Sequence, residues 1–411
     1  MVFIGARLIP IGAPEIESGV LIVQGGKIIA VGAAGATRIP EDAVRVDVRG
    51  KVIMPGLVDT HSHVGGGWGG DSSAPIQPDV RVLDSINVRD AGFQKAQAGG
   101  ITTMNIMPGS GHLLSDQTIY TKNNDGRTIE DVAIRDADGK ILGSMKMANG
   151  TNSQKGPPFP GTRSKSAALV RQKYVKAQEY RRKLAEAQDD PEKKPDRDLE
   201  MEALVEVLEG RRIVHHHTHR NDDIITVLRL QKEFGFKVVL HHVSEAWKVA
   251  EEIAEAKAPC SVILVDSPGG KIEAAELVMT TGAVLEKAGV LTAFHSDDPI
   301  TDSRHFLRMG AFGVRAGMSR EKALEALTIA GAKMLELDHR VGSLEVGKDA
   351  DFIVLSGDPF SVYTHVLETY IEGERVFDRS NPEDRLYAVG GYGAGHDQVM
   401  HFCVFEGPHH E

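Results

Sequence analysis

Pro55-Gly56-Leu57-Val58-Asp59-Thr60-His61-Ser62-His63 joins an apolar run to two histidines one residue apart. Read as a strand, the run puts residues i and i+2 on one face, so His61 and His63 point the same way from its carboxyl end. In a chain with 17 histidines, one such pair says little. Its weight comes from three later apolar runs with similar ends: Arg212 to His219 (RIVHHHTH), Val238 to His242 (VVLHH) and Leu291 to Pro299 (LTAFHSDDP). Alternation groups His215, His217 and His219 on one face with His216 on the other, and lets only one of His241 and His242 face inward. Asp297 follows the last run.

Further β-like runs, Ile101 to Met107 and Ser261 to Val265, lie between helical stretches. Strands alternating with helices predict a parallel sheet. The span 53–340 is close to the ~250 residues of a (β/α)8 barrel, whose catalytic groups gather at the strands' carboxyl ends; a doubly wound open sheet would show the same alternation. Hairpin texture marks both ends of the chain, around Gly25-Gly26 and around Glu372-Gly373-Glu374. The polar stretch Ser110 to Asp125 reads as a loop over the active face, and the charged stretch Lys183 to Asp198 as a solvated loop.

Composition narrows the classes. With 411 residues, 41% hydrophobic and 26% charged, the chain is long enough for a large core plus a smaller domain. A formal charge of -11 disfavours a nucleic-acid or anionic-membrane partner. Cys260 and Cys403 are too few for a disulfide framework and read as buried free thiols. No secretory signal or membrane-spanning run is visible, so a cytoplasmic location and a small-molecule partner are expected.

Strand ends bearing His-x-His, His, His and Asp, in that order, offer nitrogen and oxygen ligands suited to zinc and similar divalent ions. At this point the chain resembles the metal-dependent amidohydrolase superfamily, in particular its imidazolonepropionase-like branch. The resemblance rests on PGLVDTHSH, AGGITTMNIMPGS, HTHRNDDI, HHVSEAW, HSDDP and the tail VGSLEVGKDADFIVLSGDPF from Val341 to Phe360.

The resemblance implies a (β/α)8 TIM-like barrel over 53–340 and a small β-sandwich built from 1–52 and 341–385. The C-terminal tail 386–411 has no assignment. It also implies the ligands: His61 and His63 on the first barrel strand, His217 on the fifth, His242 on the sixth and Asp297 on the eighth, around one or two divalent ions, zinc above all. Asp297 doubles as general base and acid. Relatives often carry a Glu following a segment like Gly143 to Ala148, where this chain has Thr151, and other branches use a carboxylated lysine as a bridge. Lys146 is therefore a bridge between two ions, or an unmodified lysine that partners substrate charge or is simply solvated.

The function so implied is hydrolysis of a carbon-nitrogen bond in an amide, peptide-like or cyclic amide substrate. A heterocycle deaminase is the alternative, disfavoured because Arg220 stands where such enzymes carry Glu. A metal-free scaffold is less favoured still, since all five ligand positions are His or Asp. His219, Arg220, Glu245 and Trp247 are candidate substrate contacts, and a homo-oligomer is the default for a soluble enzyme.

Overall fold

A computed structural model describes residues 1–67, 70–187, 191–264 and 271–390. Cys403, the end of the Ser261 to Val265 run, part of the 183–198 stretch and the tail after 390 lie outside the described residues.

The two chain ends build one unit. Strands Val2–Ile4, Gly19–Gln24, Lys27–Ala33 and Arg45–Asp47 form one sheet; Arg7–Leu8, Val52–Pro55, Phe352–Leu355, Val366–Ile371 and Glu374–Asp378 form another. Val52–Pro55 pairs antiparallel with Phe352–Leu355, which ties the start of the chain to its end. The sheets share a core of Phe3, Leu8, Leu21, Ile28, Ile53, Phe352, Val354 and Tyr370. Phe352 stacks on Tyr370 at 4.5 Å, and Phe3 meets both rings edge-on. At the Gly25-Gly26 turn both residues have positive φ, as a two-residue hairpin requires.

The middle of the chain is TIM-barrel-like. Parallel strands Met145–Ala148, Val214–Thr218, Val238–His242, Cys260–Val262 and Thr292–Phe294 lie side by side, and Leu57–Ser62 pairs parallel with Ile101–Ile106. A parallel bridge between Ser62 and Asp298 brings the last strand's exit back to the first. Ring closure differs from the expected eightfold pattern. Leu114–Gln117 runs antiparallel to Met145–Ala148, and Ile119–Lys122 antiparallel to Ile101–Ile106. The described ladders therefore form separate six-stranded and three-stranded sheets rather than a closed ring of eight parallel strands.

These antiparallel strands occupy the stretch 110–125, which polarity had suggested was a loop. Leu114, Ile119 and Tyr120 are buried, and that apolar anchoring outweighs the surrounding polar residues. The helix Pro382–Val389 likewise runs across the boundary expected at 385. Asn381 caps it with Pro at its start, and Tyr387 and Ala388 pack on the main core. Among the described residues no helix is long and apolar enough to cross a membrane.

An ion-pair cluster joins the two units. Lys122, buried on its strand, donates to Asp349 at 2.8 Å and Asp351 at 2.6 Å. Asp349 also pairs with Lys27 at 2.5 Å and Arg340 at 2.9 Å.

Candidate metal centre

Each apolar strand delivers its polar end to the same side of the sheet. His61 and His63 leave Leu57–Ser62 with their Nε2 atoms 3.1 Å and 3.0 Å from Asp297 Oδ1. Asp297 follows the Thr292–Phe294 strand, and its amide donates to His61 O at 2.9 Å. Asp59, wholly buried, accepts from the amides of Ser296 (3.0 Å) and His61 (3.2 Å) and from the Ser296 hydroxyl. This carboxylate cross-links the strand bearing His61 to the loop bearing Asp297, and burial pushes its pKa up to about 7.

Alternation fails at one strand end for a backbone reason. His242 has φ 67, in the left-handed region, so consecutive residues His241 and His242 both reach the histidine cluster. The His241 and His242 rings each lie 5.0 Å from the His61 ring. Val243 and Asp297 also have positive φ, at 43° and 52°. Non-glycine residues held there cost on the order of 1–3 kcal/mol each, and such strain concentrates at functional sites. His295, read only as part of the Asp297 run, is also central: its Nε2 lies 3.2 Å from His242 Nδ1, and Ser261 holds its Nδ1 at 2.8 Å.

His217 and His219 join from Val214–Thr218 and the residue after it. The His217 ring lies 4.3 Å from His242 and 4.7 Å from His219. His215 sits deeper, with Nδ1 2.8 Å from His241 Nε2. His216 faces away, bonded to His217 O and lining a cleft of about 420 Å³ beside the helix Arg163–Glu186. Lys146 is fully buried, its amine 3.1 Å from His61 Nε2 and 3.0 Å from Met107 Sδ. His61, His63, His217, His242, Asp297 and Lys146 are therefore brought together.

Two of the candidate substrate contacts are engaged elsewhere. Arg220 forms an exposed ion pair with Asp222, through bonds of 3.0 Å and 2.9 Å. Glu245 accepts from the Asn221 amide at the start of the helix Asn221–Phe234 and also pairs with Lys248. Both belong to the scaffold around the centre. Trp247 is partly exposed and donates to Glu276 O. His219 alone of the four lies in the cluster, with Ser244 on its Nδ1 at 2.7 Å. Glu273, from the short helix Ile272–Ala274, had no sequence signal and also reaches the cluster.

Burial disfavours the charged form of several of these imidazoles. Burial, reinforced by neighbouring Lys146 and histidines, holds His61 and His241 well below the usual histidine range. Burial and surrounding histidines do the same for His217 and His242. His219 and His295 are pushed down to about 3, and burial lowers Lys146 to about 7. For Asp297 burial acts upward, but His63, His295 and Lys146 outweigh it and keep the carboxylate below its usual range.

The donor set fits a cation. Among the described residues, buried His61 Nδ1, His217 Nδ1 and Nε2, His219 Nε2, His242 Nε2 and Glu273 Oε1 have no hydrogen-bond partner. Buried polar atoms are rarely left so. His63 Nδ1 donates to Met107 O at 2.7 Å, which fixes the ring with Nε2 facing the Asp297 carboxylate at 3.0 Å. A contact of that length takes a proton or a cation between the two atoms.

A model of the amidohydrolase family matches residues 91–377. This chain belongs to the amidohydrolase family. Amidohydrolase tasK of Hapsidospora irregularis is 29% identical over 88% of this chain, which spans only 40% of that relative's length. Imidazolonepropionase of Rhizobium rhizogenes is 26% identical over 86% of this chain and 90% of its own. The solved structure of an amidohydrolase from Thermotoga maritima superposes with a TM-score of 0.84 at 34% identity, covering 92% of this chain and all of the other. Family membership accounts for the TIM-barrel-like fold with its extra domain, and members of the superfamily depend on metal for activity.

Proposed function

We propose that this amidohydrolase cleaves a carbon-nitrogen bond in an amide, peptide-like or cyclic amide substrate. The gathering of His61, His242 and Asp297 carries the reading, since one ligand atom from each lies within 4.8 Å of the others, as around an ion. His61, His63, His217, His242 and Asp297 would hold one or two such ions, and zinc suits a set of imidazoles and one carboxylate. When bound, such an ion supplies Lewis-acid activation of water and of the scissile carbonyl.

The chain's own groups do the rest. Asp297, ionised at neutral pH, takes the proton of the attacking water and returns it to the leaving nitrogen. His63 Nδ1, held on Met107 O, fixes the ring so that Nε2 faces the reacting side. Lys146 donates to the same His61 nitrogen that a cation would use, so it joins the loaded site only as the neutral amine or as a carbamate bridge. Asp59 keeps the His61 and Asp297 segments in register. With Arg220 paired to Asp222, we assign it no substrate charge. Heterocycle deamination is the weaker reading, because Arg220 occupies the place of the proton-donating Glu. Cys260, buried and free, suits the reducing cytoplasm in which we place the enzyme.

The test is metal analysis of the purified protein combined with a panel of N-acyl amino acids, dipeptides, lactams and aminated heterocycles. Metal-dependent release of an amine or ring opening is expected, lost in the His61→Ala/His63→Ala double variant together with bound metal. Ammonia release from aminated heterocycles alone would move the assignment to a deaminase. A protein that binds no divalent ion refutes the hydrolase reading.

A further inference from the structure

We propose that Glu273 is a metal ligand, forming with His217 and His219 a second cation seat next to that of Asp297. The proposal rests on the metal-hydrolase reading above and adds to it a carboxylate from a segment with no recognisable motif.

The observation behind it is a carboxylate with one oxygen satisfied and one left over. Glu273 is 6% exposed. Its Oε2 accepts from the Thr151 amide at 2.8 Å and from Arg163 at 3.3 Å, while the buried Oε1 has no partner among the described residues. Two imidazoles stand opposite. His217 has neither ring nitrogen bonded, and His219, held through Nδ1 by Ser244, leaves Nε2 without a partner. One ligand atom from each of the three residues lies within 4.8 Å of the others.

Hydrogen bonding does not explain this arrangement, because no bond links the three groups. Each buried unsatisfied polar atom costs ~1–3 kcal/mol, so several of them facing one another form an expensive cluster. One divalent ion would satisfy them together. Two histidines, one glutamate and an open fourth position are a ligand set that catalytic zinc accepts. Ser244 on His219 and Arg163 on Glu273 supply the outer hydrogen bonds that orient such ligands.

The local backbone makes room for this carboxylate. Gly150 has φ +70, and a Cβ there would lie 2.6 Å from Glu273 Oε2. The Thr151 side chain is exposed, and its amide donates to the Glu273 carboxylate. The seat adjoins the first, since the His217 and His242 rings are 4.3 Å apart.

Metal stoichiometry after zinc loading and dialysis tests the proposal, with the cobalt-substituted visible spectrum as a second readout. The wild-type protein is expected to hold two equivalents and Glu273→Gln one. The Gln is isosteric and keeps an oxygen for the Thr151 amide. Gly150→Ala, which pushes on the Glu273 carboxylate without replacing a ligand, should weaken the second equivalent in the same way. If Glu273→Gln still holds two equivalents, or the wild type holds only one and the variant matches it, Glu273 is not a ligand. In the second case an active, metal-dependent wild type leaves the hydrolase reading standing. A wild type without any metal overturns both.

Discussion

Asp297 and Asp349 are both largely buried carboxylates held below the usual range, in opposite surroundings. At the junction of the two units, Asp349 is met by Lys122, Lys27 and Arg340, so its charge is answered by fixed cations. Asp297 faces the buried rings of His61 and His63 within a cluster in which several imidazole nitrogens have no partner among the described residues. A completed shell makes a rigid joint, whereas an incomplete one is costly until something binds. The fold spends its pairing at the joint and leaves the centre open.

The comparison breaks first at Asp297. Asp297→Asn should lower kcat by ~10²–10⁴-fold, the usual worth of a proton-transfer group, with the thermal midpoint little changed. Turnover at the wild-type level in that variant would remove Asp297 from the chemistry. The converse pattern is expected at Lys122. Lys122→Met takes its cation from Asp351 and one of three from Asp349, and should cost up to ~3–5 kcal/mol in urea unfolding, while the protein that remains folded keeps its metal and its activity. A drop in kcat with normal stability would erase the distinction between joint and centre.

Acid sharpens the contrast. Burial alone would raise the Asp349 pKa, but Lys122, Lys27 and Arg340 pull it from 3.8 to about 2. The folded state thus binds its proton later than the unfolded chain, so this contribution is complete above the unfolded value and is lost as pH falls through the folded one. Asp349→Asn should therefore narrow the gap in urea midpoint between about pH 5 and about pH 2.5. An unchanged gap would assign acid sensitivity to other carboxylates. The smallest effect belongs to Arg220→Ala: exposed and paired with Asp222, it should change stability by less than ~1 kcal/mol and leave kcat/KM unaltered. A marked rise in KM would restore it as a substrate contact.

What could be read in advance follows from which interactions are local. Alternation puts His61 with His63, and His217 with His215 and His219, because those segments are regular strand. At Val238–His242 the same rule allows one inward histidine and the structure has two, because the left-handed turn at His242 is dictated by tertiary packing. Leu114–Lys122 was misread as loop because its polar residues hide short buried strands. Glu273 left no trace, since it reaches the centre from an irregular segment and is recognised only by what it touches. The paired chain ends were visible as hairpins, but their mutual packing was legible only through family resemblance.

That pairing has a consequence for synthesis. Pro55 lies opposite Phe352, so the opening strands leave the ribosome about 300 residues before their sheet partner exists. At ~5–20 residues per second the wait is tens of seconds. During it the edge of Val52–Pro55 stays unpaired, an invitation to wrong partners that a nascent-chain chaperone would be well placed to shield. The extra domain is begun first and finished last.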